Sequence, residues 1–200
     1  MKTQSGLIAL LLFCCFLIFF ACRGPNQPEP LYAPNFQKPR VTGIVLTDTE
    51  GNAVMVWGNP NGKVVADKDK TGDFLRMYLP YPNPTNGSVF IEYVLRTPSE
   101  ITMWIVPAVG PNQERTNIGH FGNADFFSPG GVAIKVFFRE EQRSPGGYRV
   151  HWDASEVPAG FYRAYIKTDG LLVWQDILII RKKSDIPPGF PRNIFGEGLP

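Results

Sequence analysis

Apolar side chains that fall on every second residue constrain this chain more than any other feature. Val89, Ile91, Tyr93 and Leu95 share one face of Ser88 to Arg96, and Ile101, Met103 and Ile105 share one face of the next run. Val132, Ile134, Val136 and Phe138 repeat the pattern, as do Tyr148, Val150 and Trp152, and then Tyr162, Ala164 and Ile166. A two-residue period places alternate side chains on opposite faces of a strand, one buried and one wet. Leu172 to Ile180 is apolar on both faces and is expected at the centre of a sheet. Twenty glycines and nineteen prolines punctuate these runs, which excludes a helical bundle, and no helical period is sustained beyond the first segment. Short alternating runs with turns between them predict an all-β fold, a two-layer antiparallel β-sandwich.

Ahead of these runs, Val41 to Thr47 and Ala53 to Gly58 flank Asp48-Thr49-Glu50-Gly51-Asn52. Two β-branched runs around a short Gly/Asn turn read as a hairpin. A lone hairpin is marginal in water, so the 41–80 region is expected to pack on the sandwich. The closing stretch, 184–200, is rich in proline and glycine and lacks alternation. It reads as an irregular tail, and cutting the chain after Lys183 is expected to leave the unfolding midpoint nearly unchanged.

The N-terminus has a different character. Lys2 precedes an apolar run from Leu7 to Cys22, which Arg23-Gly24-Pro25 ends abruptly. As a helix this run would reach about 24 Å, short of the ~30 Å hydrocarbon core. A basic start, a short apolar centre and a small residue before the break predict a signal peptide over 1–21. All three cysteines (Cys14, Cys15 and Cys22) lie in this segment. Beyond Cys22 the chain therefore has no disulfide framework, thiolate metal site or cysteine nucleophile. Cys22, directly after Ala21, resembles the lipid-modified cysteine of bacterial lipoproteins. Phe19 and Phe20 stand where that family usually carries leucine and a small residue. The resemblance implies lipid attachment at Cys22 and an outer-membrane destination, since Arg23 replaces the aspartate that holds many such proteins at the inner membrane. The 22–40 stretch that follows holds five prolines and reads as an extended tether.

From Tyr81 to Lys183 the landmarks fall in a familiar order. Tyr81-Pro82-Asn83-Pro84 is followed by Asn86-Gly87-Ser88, by Gly146-Gly147-Tyr148-Arg149-Val150-His151-Trp152-Asp153, and by Pro158-Ala159-Gly160-Phe161-Tyr162-Arg163. This order resembles the immunoglobulin-like domain of the flagellar hook-capping protein and the C-terminal sorting domains of type IX secretion cargo. The resemblance implies an immunoglobulin-like sandwich over 81–183 and supplies no catalytic residue. It departs from those families in a longer connection between Pro107 and Gly146 and in the chain that follows Lys183. From the residues themselves, Trp152 should point inward and His151 outward, and Asp153 should bond the backbone of its own turn. Pro82 and Pro84 should hold the chain extended ahead of the first strand of the sandwich.

Chemistry is sparse. His151, Asp153 and Ser155 lie within five residues and lack a nucleophile elbow. His120, the other histidine, falls in a connecting loop. Asp67, Asp69 and Thr71 followed by Gly72 open like a calcium loop, but Tyr78 stands where a bidentate glutamate belongs. Glu140 and Glu141, between Arg139 and Arg143, read as a salt-bridged loop. A net charge of +2 gives no field to attract nucleic acid. The expectation is a lipid-anchored, non-enzymatic binding or assembly module of the bacterial cell envelope, with no cofactor and no metal. Its partners would be the membrane, through the lipid, and an envelope protein. The alternative is type IX secretion cargo whose sandwich is a sorting domain.

Overall fold

The computed structural model describes residues 38–60, 75–111, 131–168 and 171–191, all within the compact unit Asn35–Pro200. Within these residues nine strands follow one another: β1 (Gly43–Thr47), β2 (Ala53–Gly58), β3 (Leu75–Met77), β4 (Ser88–Leu95), β5 (Ser99–Ala108), β6 (Lys135–Arg143), β7 (Gly146–Asp153), β8 (Gly160–Lys167) and β9 (Leu172–Ile179). They form a β1-β2 hairpin, a three-stranded sheet in the order β3-β4-β7, and a four-stranded sheet in the order β6-β5-β8-β9. Every pairing between these strands is antiparallel. The chain is thus an all-β antiparallel sandwich with an N-terminal hairpin. Strands one, two and five of the sandwich make one layer and the remaining four make the other; the constant-type immunoglobulin arrangement places strand four in the first layer, whereas here it pairs with strand three in the second. The three-stranded sheet begins at Leu75, ahead of the Tyr81 boundary drawn from the sequence.

Alternation explains the core. Val89, Ile91, Tyr93 and Leu95 of β4 meet Ile101, Met103 and Ile105 of β5 and Tyr162, Ala164 and Ile166 of β8 in one buried cluster. Trp152 joins it at 2% exposure and sets its ring edge-on to Tyr162 at 5.4 Å, whereas His151 is exposed. The Asp153 carboxylate accepts the Ser155 N–H at 3.0 Å, the turn role its sequence position predicts.

Three readings need correction. β9 lies at the edge of its sheet, with β8 as its only strand neighbour among the described residues, although both its faces are covered. Val173, Ile177 and Ile179 point into the sandwich, while Leu178 joins Ile44 and Leu46 of the hairpin, Phe161 and Phe190 in a second core on the other side. Apolarity on both faces reported burial by two layers, not a central place in a sheet. β6 departs from simple alternation as well. Val136 pairs with Trp104 and Phe138 with Met103, so one residue is extra and the face switches between them. Phe138 packs on the core, whereas Val132, Ile134 and Val136 are exposed. Glu140 and Glu141 lie on this strand and not in a loop, and Glu141 pairs with Arg143 at 2.7 Å.

The Tyr81–Thr85 segment joins all three sheets. Tyr81 exchanges backbone hydrogen bonds with Phe90 of β4, Asn83 with Thr47 of β1, and Thr85 with Leu178 and Ile180 at the free edge of β9. The peptide bonds preceding Pro82 and Pro84 are cis. Asn83 is 1% exposed; its Nδ2 donates to the Asp176 carbonyl at 2.9 Å and its Oδ1 accepts the Leu178 N–H at 3.0 Å. A side chain thus helps to complete the edge of a sheet where, among the described residues, no further strand pairs.

Candidate functional site

Cys22, the sequence-predicted site of lipid attachment, lies outside the described residues, as do His120 and the Asp67–Asp73 segment. Among the described residues no group of three or more His, Cys, Asp or Glu side chains could hold a metal ion. No described helix is long and apolar enough to cross a membrane. His151, Asp153 and Ser155 are all exposed at the end of β7. The Ser155 N–H holds the Asp153 carboxyl below its ordinary range, so this carboxylate is committed to its turn. Three described surfaces carry clustered polar or aromatic side chains: a sheet face, a pinned chain junction and a groove.

The outward face of the three-stranded sheet is aromatic and charged. Tyr81 Oη donates to Glu92 Oε1 at 2.6 Å, and Arg149 Nε reaches the same oxygen at 2.6 Å. The Arg149 guanidinium lies over the rings of Tyr81 and Phe90, and Phe90 packs on His151 with centroids 5.0 Å apart. Two donors on one oxygen favour the ionised carboxylate. The Tyr81 hydroxyl, followed by Arg149, holds Glu92 below its ordinary value against the opposing effect of burial. Burial, and then the Glu92 carboxylate, push the Tyr81 phenol up.

The junction sits on the outer face of the four-stranded sheet. Arg163 on β8 and Asp176 on β9 form a bidentate pair, with Nε to Oδ1 at 2.6 Å and Nη2 to Oδ2 at 3.0 Å. Both side chains are only 3% exposed. Burial pushes the Asp176 carboxyl up, against the pull of Arg163. The guanidinium also lies over the Trp174 ring, and its Nη2 donates to the Arg40 carbonyl at 2.9 Å. Val109 brackets the same point, donating to the Pro39 carbonyl and accepting the Val41 N–H. The end of the 22–40 stretch is therefore fastened to two strands of the sandwich, β5 through its end and β8 through Arg163.

A groove of about 300 Å³ opens between the hairpin and the closing stretch, lined by Trp57, Phe161, Leu178, Ile186, Pro187 and Pro188 among others. Trp57 stacks on Phe161 at 6.0 Å, meets Phe190 edge-on at 5.2 Å, and donates its indole N–H to the Gly189 carbonyl at 3.0 Å. Gly110 lies so close to the Phe161 ring that a Cβ there would stand 2.3 Å from it. Phe190 is 4% exposed. Over 184–191, the described part of the closing stretch, the chain is irregular beyond a single 3-10 turn at Lys183–Asp185, yet Phe190 packs it into the second core as a strap. None of these three surfaces was identified from the sequence. The only local signal for the groove was the pair of aromatics, Trp57 and Phe190, in segments of weak or absent alternation.

No family model matches the chain, and neither a curated protein nor a solved structure matches it.

Proposed function

We propose that this protein is an exported, lipid-anchored, non-enzymatic binding or assembly module of the bacterial cell envelope. One observation carries the reading: Cys22 closes the apolar Leu7–Cys22 run after Ala21 and is followed at once by a proline-rich stretch leading into the sandwich. Acyl chains on Cys22 would hold the chain to a membrane, with the outer membrane favoured by Arg23. Each buried CH₂ adds about 0.8 kcal/mol, so one chain binds only marginally and several hold firmly. The 22–40 stretch would then act as spacer, and the fastening of Arg40 to Arg163 would pass any pull on the lipid into two strands of the sandwich. The groove beside Trp57 and the Tyr81–Glu92–Arg149 face are the surfaces offered to an envelope protein partner. Neither a cofactor nor a metal enters this reading.

Replacing Cys22 with serine should move the protein out of the membrane pellet while the sandwich stays folded. High salt should not release the wild type, because a net charge of +2 gives little electrostatic adhesion to screen. Wild-type protein that partitions like Cys22→Ser overturns the anchor. A mature product that has lost the sandwich points instead to type IX secretion cargo.

A further inference from the structure

Two of the outer strands among the described residues, β6 and β2, are built differently. β6 carries Lys135, Arg139, Glu140, Glu141 and Arg143 and two breaks in register, the usual protections of an edge against foreign strands. β2 reads Ala53-Val54-Met55-Val56-Trp57-Gly58, with no charge and no proline. Its one irregularity lies at the turn end, opposite Leu46/Thr47, and leaves Met55 to Gly58 in regular register. Val54, Met55 and Val56 are 54%, 39% and 59% exposed, and among the described residues β2 pairs only with β1.

The ladder shows which backbone groups face outward. Asn59 N–H bonds the Thr42 carbonyl, and bonded and non-bonded pairs alternate along an antiparallel ladder. With Gly43 opposite Gly58, the next bonded pairs are Ile44–Trp57 and Leu46–Met55. Val56 therefore turns its N–H and C=O away from β1, toward the open edge.

We propose that β2 is a self-association edge, and that two copies of this chain pair β2 to β2 antiparallel about a twofold axis at Val56. The strand complements itself in that register. The two Val56 residues exchange N–H···O bonds, and Met55 of each copy stands opposite Trp57 of the other, a sulfur–aromatic contact. With no charge on the strand, the axis brings no like charges together. Hydrogen bonds and apolar pairs both close on the same axis, so the contact stops at two copies and does not propagate. A six-residue edge falls well short of the ~800 Å² per partner of a stable complex, so pairing is weak in dilute protein. It gains where copies share a surface. That gain rests on the proposed Cys22 anchor, whereas the pairing itself does not.

The test uses the full chain carrying Val56→Cys, with Val132→Cys as a control of matched exposure, 62% against 59%. The native cysteines, all at or before Cys22, give both variants the same background. Bonded antiparallel positions stand about 5.5 Å apart at Cα, within disulfide reach. Under a mild thiol oxidant, Val56→Cys should run mainly as a dimer of twice the chain mass on a non-reducing gel, with Val132→Cys at the wild-type level. The wild type should show a concentration-dependent rise in mass on sedimentation, and Val56→Lys, which sets like charges across the axis, should abolish it. A Val56→Cys band no stronger than that of Val132→Cys overturns the pairing, as does an adduct of any other mass. The membrane and soluble fractions are scored separately. A dimer in the soluble fraction supports the pairing whether or not Cys22 is acylated, and acylated protein without a dimer removes the pairing alone.

Discussion

Asn83 is the residue through which the structure is most open to refutation. Its side chain satisfies the Asp176 carbonyl at 2.9 Å and the Leu178 N–H at 3.0 Å, both at the edge of β9 and both out of water. A third contact, to the Val45 carbonyl at 3.4 Å, is too long to weigh heavily. Asn83→Ala would leave one buried donor and one buried acceptor unpaired, each costing about 1–3 kcal/mol. The expected loss is about 2–6 kcal/mol, or a fall in Tm of about 5–20 °C for a domain of this size. Asn83→Asp keeps the shape but turns a carboxylate oxygen toward the Asp176 carbonyl, so it should not restore stability. Asn52→Ala is the control: its Nδ2 bonds Asp48 Oδ2 in an exposed turn, and its loss should cost under about 1 kcal/mol. Thermal and urea unfolding of the three variants decide the matter. An Asn83→Ala midpoint as close to wild type as that of Asn52→Ala, or an Asn83→Asp midpoint equal to wild type, refutes the role given to this residue.

Trp152→Ala should destabilise by about 3–5 kcal/mol and His151→Ala by no more than about 0.5 kcal/mol, because adjacent residues of β7 face core and solvent; equal denaturation midpoints would show the register to be wrong. Phe190→Ala should cost about 3 kcal/mol or more, and truncation after Lys183 at least as much, since the cut also removes the Gly189 carbonyl that accepts the Trp57 indole N–H. An unchanged urea midpoint for the truncation would return this stretch to a passive tail. Glu92 gives a pH dependence of definite sign: its folded carboxyl is held below the ordinary 4.5, so its contribution is present above that value and is lost as pH falls through the lower folded one. Glu92→Gln should flatten the acid limb of the stability curve below about pH 4.5, and an acid limb identical to wild type would remove the carboxylate from the account.

The fold was legible where strands are regular. In β4, β7 and β8 one residue follows another without insertion, and the period of two places Val89, Trp152 and Ala164 inside. It failed on β6, where an extra residue between Val136 and Phe138 exchanges the faces. On β9 the pattern reported burial faithfully but could not say whether sheet neighbours or a second layer caused it. β3, with three residues, is too short to show a period. Phe190 is a single anchor in an aperiodic stretch, and the partners of the Asn83 side chain lie as much as 95 residues away, beyond any local pattern. The candidate surfaces were hidden for the same reason. Arg163 and Asp176 look like ordinary strand charges until the register of β8 on β9 sets them side by side. Cys22 is the reverse case, a chemical signal read entirely from its neighbours in sequence.

The central claim is that a lipid on Cys22 holds this sandwich to a membrane, and mass spectrometry of the native N-terminus tests it most directly. The full chain is expressed in a bacterial host, membrane and soluble fractions are separated, and the N-terminal peptide of each is measured. The account predicts that the membrane-bound protein begins at Cys22 and carries the mass of acyl chains on that residue. Soluble protein with an unmodified N-terminus downstream of Cys22 would contradict it.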